Sequence, residues 1–129
     1  MKTKILHLVL IGLIGVNYSF FAPSQTTTKW KQSNCYENLY YTIKSTPEKN
    51  NCKRMAWEIV FKNSYEDLIT FNYAITEDKN DLLTNHRKTL QAGEMSKPIG
   101  FYTKIKDFYV LIDQLSFSID GSNTIDCDY

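Results

Sequence analysis

The chain has 129 residues, of which 43% are hydrophobic and 22% are charged, and its formal net charge is +1. This length corresponds to about one domain, and the composition is that of a folded chain rather than a disordered one. The near-neutral charge argues against a dedicated nucleic-acid binder, because such proteins carry a strongly basic surface.

Residues 1–24 have the pattern of a secretory signal peptide. Lys2 and Lys4 form a positive start, and residues 5–16 are an apolar run broken by one histidine. This run is too short for a membrane-spanning helix, which needs about 20 apolar residues. Small residues lie at both recognition positions of a cleavage after Ser24. We therefore predict that this signal-peptide helix is removed on export.

An uncleaved membrane anchor over residues 5–22 is the alternative, since this stretch carries no charge. Cleavage removes two lysines and leaves 13 basic and 14 acidic residues. Such a balance gives no electrostatic steering toward nucleic acid or anionic lipid. We predict a secreted, periplasmic or cell-envelope protein with no nucleic-acid partner, which contacts a membrane only if its N-terminal segment is retained.

The three cysteines, Cys35, Cys52 and Cys127, all follow the signal segment, and their odd number leaves one unpaired or paired between chains. A bond between Cys35 and Cys52 would close a short loop and is easy to form. A bond from Cys127 to either of them is favoured, because it ties down a C-terminal tail that would otherwise fray. The choice between Cys35 and Cys52 stays open. The sequence has no CxxC motif, and His86 is the one histidine after the signal segment. No zinc site is therefore expected.

The mature chain begins with a polar stretch, residues 25–35, which predicts a flexible arm before a domain formed by residues 36–129. Residues 39–43 are rich in β-favouring aromatic and branched side chains. Residues 55–61 and 68–75 alternate between two faces, with large apolar side chains on one of them. This pattern predicts two strands joined as a hairpin, each buried on one face.

The second half of the chain predicts further short strands. Residues 76–86 are charged and polar, which favours a long loop, with a short helix as the alternative. Strands are predicted at residues 88–92, 101–105, 108–112 and 115–119, followed by a turn at residues 120–123. Six or seven short strands at roughly ten-residue spacing are typical of an all-β antiparallel sandwich.

The order of several phrases resembles small exported bacterial β-sandwich proteins of uncharacterised function. These phrases are residues 57–63 leading into Tyr65, residues 69–75, the LQAGE segment at residues 90–94, and Cys127 in the tail. Such proteins are similar in pattern to immunoglobulin and fibronectin domains. The resemblance implies an immunoglobulin-like or fibronectin-like sandwich and an exported location, and it implies no catalytic residues.

This resemblance covers about residues 36–128, but it lacks one hallmark of antibody domains. Those domains carry a Cys…Trp…Cys order around their inter-sheet disulfide. Here Cys52 lies only five residues before Trp57, so that disulfide is not expected.

No catalytic motif stands out in the chain. It has no GxSxG, no HExxH and no glycine-rich phosphate loop. The acidic pairs Glu66–Asp67 and Glu77–Asp78 fall between predicted strands, where acidic residues are common for conformational reasons. We predict no catalytic residue, no metal and no cofactor. A small carbohydrate-active hydrolase is the least favoured alternative, since it needs two carboxylates converging in one cleft.

The unusual feature of the composition is its nine tyrosines and seven phenylalanines. An exposed tyrosine presents a flat, amphipathic ring that suits sugars and protein partners, although tyrosine also packs well between strands. The candidate binding residues are Tyr36, Tyr40, Tyr41, Tyr65, Tyr102 and Tyr109.

These observations predict a non-catalytic exported binding or interaction module whose partner is a protein or a glycan at the cell envelope. The alternative is a structural accessory subunit that pairs through its sheet edges. A long, unprotected edge strand would be the sign of that role.

Overall fold

The structure, a computed structural model, describes residues 29–50 and 53–127. The predicted signal segment and Cys52 lie outside these ranges. Within them, no helix has the length and hydropathy needed to cross a membrane.

The described chain forms seven strands in two antiparallel sheets, with one short 3-10 helix at Pro47–Lys49 and no α-helix. The strands are β1 (Lys31–Gln32), β2 (Leu39–Ser45), β3 (Met55–Asn63), β4 (Ile69–Thr76), β5 (His86–Leu90), β6 (Ile99–Thr103) and β7 (Tyr109–Ser116). The predicted all-β antiparallel sandwich of six or seven strands is confirmed. The segment between β4 and β5 is a loop with one turn, as its composition indicates.

The predicted hairpin between β3 and β4 is wrong. The first sheet has the order β1-β2-β3-β6 and the second has the order β5-β4-β7, so β3 and β4 lie in different sheets. Each is flanked by two strands of its own sheet, and their apolar faces meet across the core. A strand buried on one face has the same alternation whether its sequence neighbour pairs with it or packs over it.

The prediction of two strands at residues 108–112 and 115–119 is also corrected, because β7 runs through as one strand. Its pairing with β4 shifts between Thr70 and Asn72, which marks an irregularity of the β-bulge type. Gln114 has φ 52°, a left-handed conformation, and its side chain accepts a hydrogen bond from the Asn72 amide at 2.8 Å. The polar residues between the two predicted strands, Asp113 and Gln114, therefore belong to an irregularity within β7 and do not end the strand.

A turn around Asp120 follows β7. The Asp120 carboxylate accepts hydrogen bonds from the Ser118 hydroxyl at 2.6 Å and from the Ser122 N–H at 2.9 Å. These bonds stabilise the ionised form and lower the pKa of Asp120 to about 2. These hydrogen bonds within the turn account for an acidic residue at position 120.

The core lies where the two sheets face each other. The Phe61 ring of β3 packs against two rings of β4, with centroid distances of 5.1 Å to Phe71 and 4.9 Å to Tyr73. Phe61 and Phe71 are fully buried, and burying a side chain of this size contributes about 1.5–3 kcal/mol. Residues of both sheets complete the cluster: Leu39, Ile59, Ile69, Leu90, Ile112 and Leu115.

Asn63, at the end of β3, is a fully buried polar residue. Its amide nitrogen donates to the carbonyls of Asp67 at 2.8 Å, Gln91 at 2.9 Å and Leu90 at 3.3 Å. Its side-chain oxygen accepts from the Tyr65 N–H at 2.9 Å. One side chain therefore joins the β3–β4 connection to the end of β5.

We predict that Asn63→Ala lowers the free energy of unfolding by about 2–4 kcal/mol, because it removes four hydrogen bonds made by a fully buried side chain. The matched control is Asn72→Ala, which removes one exposed hydrogen bond and should cost less than about 1 kcal/mol. Urea denaturation of both variants measures the difference. Equal losses would show that the buried amide network has no special role.

A disulfide joins Cys35 to Cys127, which are 92 positions apart in sequence and have their Cα atoms 5.6 Å apart. Neighbouring contacts hold the same tail. Ile125 bridges Leu115 of β7, and the buried Tyr36 hydroxyl donates to the Ile125 carbonyl at 2.5 Å. The tail is therefore a fixed part of the sandwich, and the pairing of Cys127 with an earlier cysteine is the one that the structure contains.

This pairing predicts the thiol chemistry of the chain. Alkylation without reduction should modify one cysteine, Cys52, and alkylation after reduction should modify three. Removing the bond in a Cys35→Ser, Cys127→Ser variant should cost about 4–5 kcal/mol in the chain-entropy model, whereas Cys52→Ser should leave the melting temperature nearly unchanged. Intact mass and thermal unfolding report both results. Peptide mapping that finds Cys52 in an intramolecular bond would contradict the pairing.

Candidate functional site

The two sheets leave an open groove along one side of the sandwich, between β7 of the second sheet and the β1–β2 edge of the first. We call it the aromatic groove. Its cavity volume is about 550 Å³. It is lined by Lys31, Tyr41, Ile43, Trp57, Lys106, Asp107, Phe108, Tyr109 and Val110.

Strand alternation explains why aromatic side chains reach this groove. Tyr41 lies opposite the core residue Phe61, and Ile43 lies opposite Ile59, so both point between the sheets. Trp57 follows on the same face of β3. These side chains lie beyond the closed centre of the core and are only half-buried. The groove is thus a continuation of the core face that the second sheet does not cover fully.

The Trp57 ring is held by a chain of contacts. Its Nε1–H donates to the Thr103 hydroxyl at 2.9 Å, and that hydroxyl donates to the Ile105 carbonyl at 2.7 Å. The ring meets Phe108 edge to face at 5.1 Å, and Phe108 meets Phe101 in the same way at 5.2 Å. The β6–β7 connection therefore fixes Phe108 against the floor of the groove.

The groove continues along the first half of β7. An adjoining cavity of about 400 Å³ shares four lining residues with it, among them Tyr41 and Tyr109. This extension also contacts Leu111 and Leu82, and Leu82 is 49% exposed in the long β4–β5 loop. The apolar floor therefore follows an edge strand over several residues.

The rim of the groove is positively charged. Lys31, Lys79 and Lys106 come from three separate segments and line the two joined cavities. In the part of the chain that the structure describes, Asp107 is the one carboxylate that lines either cavity. An apolar floor with a basic rim favours a partner that is apolar on one face and anionic on the other.

The structure brings together two of the six candidate tyrosines. Tyr41 and Tyr109 line the aromatic groove, and Tyr109 is 45% exposed. Tyr36 is only 4% exposed and belongs to the core, where its hydroxyl is bonded to the tail. Tyr36 therefore presents no ring to a ligand.

The remaining three candidates lie elsewhere. Tyr40 is on the outer face of the first sheet, opposite Lys62. Tyr65 packs edge to face against Phe117 at 5.2 Å. Tyr102 is 55% exposed on β6, away from the groove. The six tyrosines do not form one continuous patch.

Sequence reasoning missed Trp57 and Phe108 as groove residues, together with the lysines of the rim. The sequence could have indicated Trp57, because the alternation of β3 places its side chain on the same face as the core residues. That alternation does not show that Trp57 is only half-buried whereas Phe61, on the same face, is fully buried. The lysines come from segments that only the fold brings together.

A second cavity of about 330 Å³ lies on the opposite side of the sandwich, between β6 and the β4–β5 pair. His86 stacks there on Tyr73 at 5.1 Å. Glu77 also lines it, and its carboxylate accepts the backbone N–H groups of Lys104 and Ile105. Glu77 therefore anchors the start of the β6–β7 connection.

A glycosidase needs two carboxylates that flank its substrate. Among the described residues, Asp107 lines the aromatic groove, Glu77 lines the second cavity, and Glu58 lines a small cavity beside the second one. Within residues 29–50 and 53–127, no group of three His, Cys, Asp or Glu side chains is placed to hold a metal ion.

Comparison of the chain with protein-family models, with curated proteins and with solved structures finds no significant match to any of them. The physical features of the groove are therefore the basis for assigning a function.

Burial raises the pKa of Tyr41 above its ordinary value of 10.0, because desolvation disfavours the phenolate. As the pH rises above 10, the unfolded chain loses this proton first, so the free energy of unfolding should fall. We predict a shallower fall for Tyr41→Phe, which has no such proton. Denaturation from pH 8 to 11 in a Cys52→Ser background, which removes that thiol from exchange, compares the two slopes. Identical slopes would count against desolvation of this hydroxyl.

Proposed function

We propose that the protein is a non-catalytic, exported binding module that holds a protein or glycan partner in the aromatic groove. The observation that carries this proposal is the half-exposed cluster of Tyr41, Trp57, Phe108 and Tyr109 beneath a charged rim. Binding sites are typically concave and mostly apolar, with a few polar groups that orient the ligand.

Two features support export to the cell envelope or beyond. The bond between Cys35 and Cys127 is of a kind that persists in oxidising compartments. The N-terminal sequence has the order of a signal peptide. Two facing antiparallel sheets are also compatible with the immunoglobulin-like relationship, which remains part of this proposal.

A structural accessory subunit that pairs through sheet edges is the second candidate function. One observation favours it: β7 has eight residues and is one of the two edge strands of its sheet. Its second half is bridged to the tail at Leu115, whereas its first half lines the aromatic groove. Both candidate functions therefore use the same side of the sandwich.

The test uses the full chain, expressed with its own N-terminus and with the disulfide intact, against a random-peptide display library and a glycan array. We predict that ligands selected in this way bind Tyr109→Ala about ten- to thirtyfold more weakly, the cost of removing an aromatic anchor.

The matched control is Tyr102→Ala, since Tyr102 is a similarly exposed tyrosine on the other side of the sandwich. Its affinity should change less than about twofold, as expected for a residue outside the contact. Ligands that lose affinity with Tyr102→Ala and keep it with Tyr109→Ala would place the site elsewhere. An absence of ligands in both libraries would count against a binding module.

A further inference from the structure

We infer that the partner is an extended acidic polypeptide segment, which lies in the aromatic groove alongside the first half of β7. This inference rests on the proposed function and names the chemistry of its ligand.

The shape of the groove matches an extended chain. Its two walls are edges of different sheets, β1 at Lys31 and β7 at Tyr109–Leu111. The three β7 residues span about 10 Å at roughly 3.3 Å per residue, and the floor continues on both sides toward Trp57 and Leu82. A strand laid along such an edge gains backbone hydrogen bonds as well as side-chain pockets.

The charge of the groove sets the sign of the ligand. Lys31 and Lys106 line the groove from β1 and the β6–β7 connection, and Lys79 lines its extension from the β4–β5 loop. Among the described residues, Asp107 is the one carboxylate in these linings. The chain without its predicted signal segment has 13 basic and 14 acidic residues, so a positive charge is not a general property of the mature protein. An anionic ligand complements it.

The alternation of an extended peptide fits both parts of the groove at once. Side chains at every second position point to one face of a strand. Apolar side chains on that face contact Ile43 and Val110 in the floor, while acidic side chains on the opposite face lie near the lysines of the rim.

A polypeptide is favoured over a glycan by the arrangement of the rings. A sugar stacks on an open, flat aromatic face, but Trp57, Phe108 and Phe101 meet edge to face. In such a T-shaped pair, one ring covers part of the face of the other. At Trp57 and Phe108 the groove therefore presents a pocket between rings rather than a flat platform.

The experiment titrates the full, disulfide-intact chain with a pool of N-acetylated octapeptides that alternate Glu with Val, Thr or Tyr. A matched pool carries Lys in place of Glu, and oligogalacturonate serves as an acidic glycan. Amide shifts in NMR spectra locate binding, and titrations give the Kd. We expect shifts at Lys31, Tyr109 and Val110, and at least about tenfold weaker binding of the Lys pool, as expected when several charge contacts reverse their sign.

Variants of the rim test the charge argument. Lys79→Gln and Lys106→Gln should each weaken the acidic peptides about two- to fivefold, the usual range for an exposed ion pair. Lys97→Gln is the matched control, because Lys97 is an exposed lysine that does not line the groove. Backbone N-methylation of the peptides at every second residue, in either register, tests strand addition and should abolish binding in one register.

Three results would overturn the inference. One is oligogalacturonate binding in the groove while the acidic peptides do not, which leaves the binding module intact but makes its ligand a glycan. The second is equal affinity for both peptide pools. The third is that peptides N-methylated in either register bind as tightly as the unmodified peptides. The libraries and the Tyr109→Ala comparison test the proposed function separately.

Discussion

The packing of Phe61 against Phe71 and Tyr73 is the contact on which the rest of the structure depends. It joins the central strand of one sheet to the central strand of the other, and it sets the two sheets face to face. Removing this apolar surface from water is the main favourable contribution to folding such a small domain. The aromatic groove is the outer margin of the same face, where Tyr41 and Trp57 extend past the closed core.

Hydrogen bonds hold connections at both ends of the sandwich, and one of these connections, between β6 and β7, lines the groove. Trp57 is linked through Thr103 to the β6–β7 connection, and Glu77 binds the backbone of that connection from the opposite sheet. At the other end, the buried Asn63 side chain joins neighbouring turns through hydrogen bonds. A groove supported by satisfied polar groups keeps its shape before a ligand arrives, and preorganisation reduces the entropy cost of binding.

The candidate site was predictable only in part. Tyr41 and Tyr109 were named from their residue type, since tyrosine combines a large apolar area with a polar hydroxyl. Tyr36 was named for the same reason, but it is buried with its hydroxyl bonded to the C-terminal tail. The type of a residue does not by itself show whether its side chain is exposed in the folded protein. The lysine rim could not be predicted from the sequence, because Lys31 and Lys106 are 75 positions apart and line the same groove only in the folded protein.

The sequence by itself determined where most of the strands lie, though not the short β1 in the predicted arm, and which side chains of β3 and β4 face the core. Such alternation can be read from the sequence because a period of two is a local property of the chain. Only the tertiary structure decided which strands pair. It separated β3 from β4, merged two predicted strands into β7, and joined Cys35 rather than Cys52 to Cys127. Pairing depends on contacts between distant residues. The groove depends on such contacts most of all, since both of its walls are edges that exist only after the two sheets have formed.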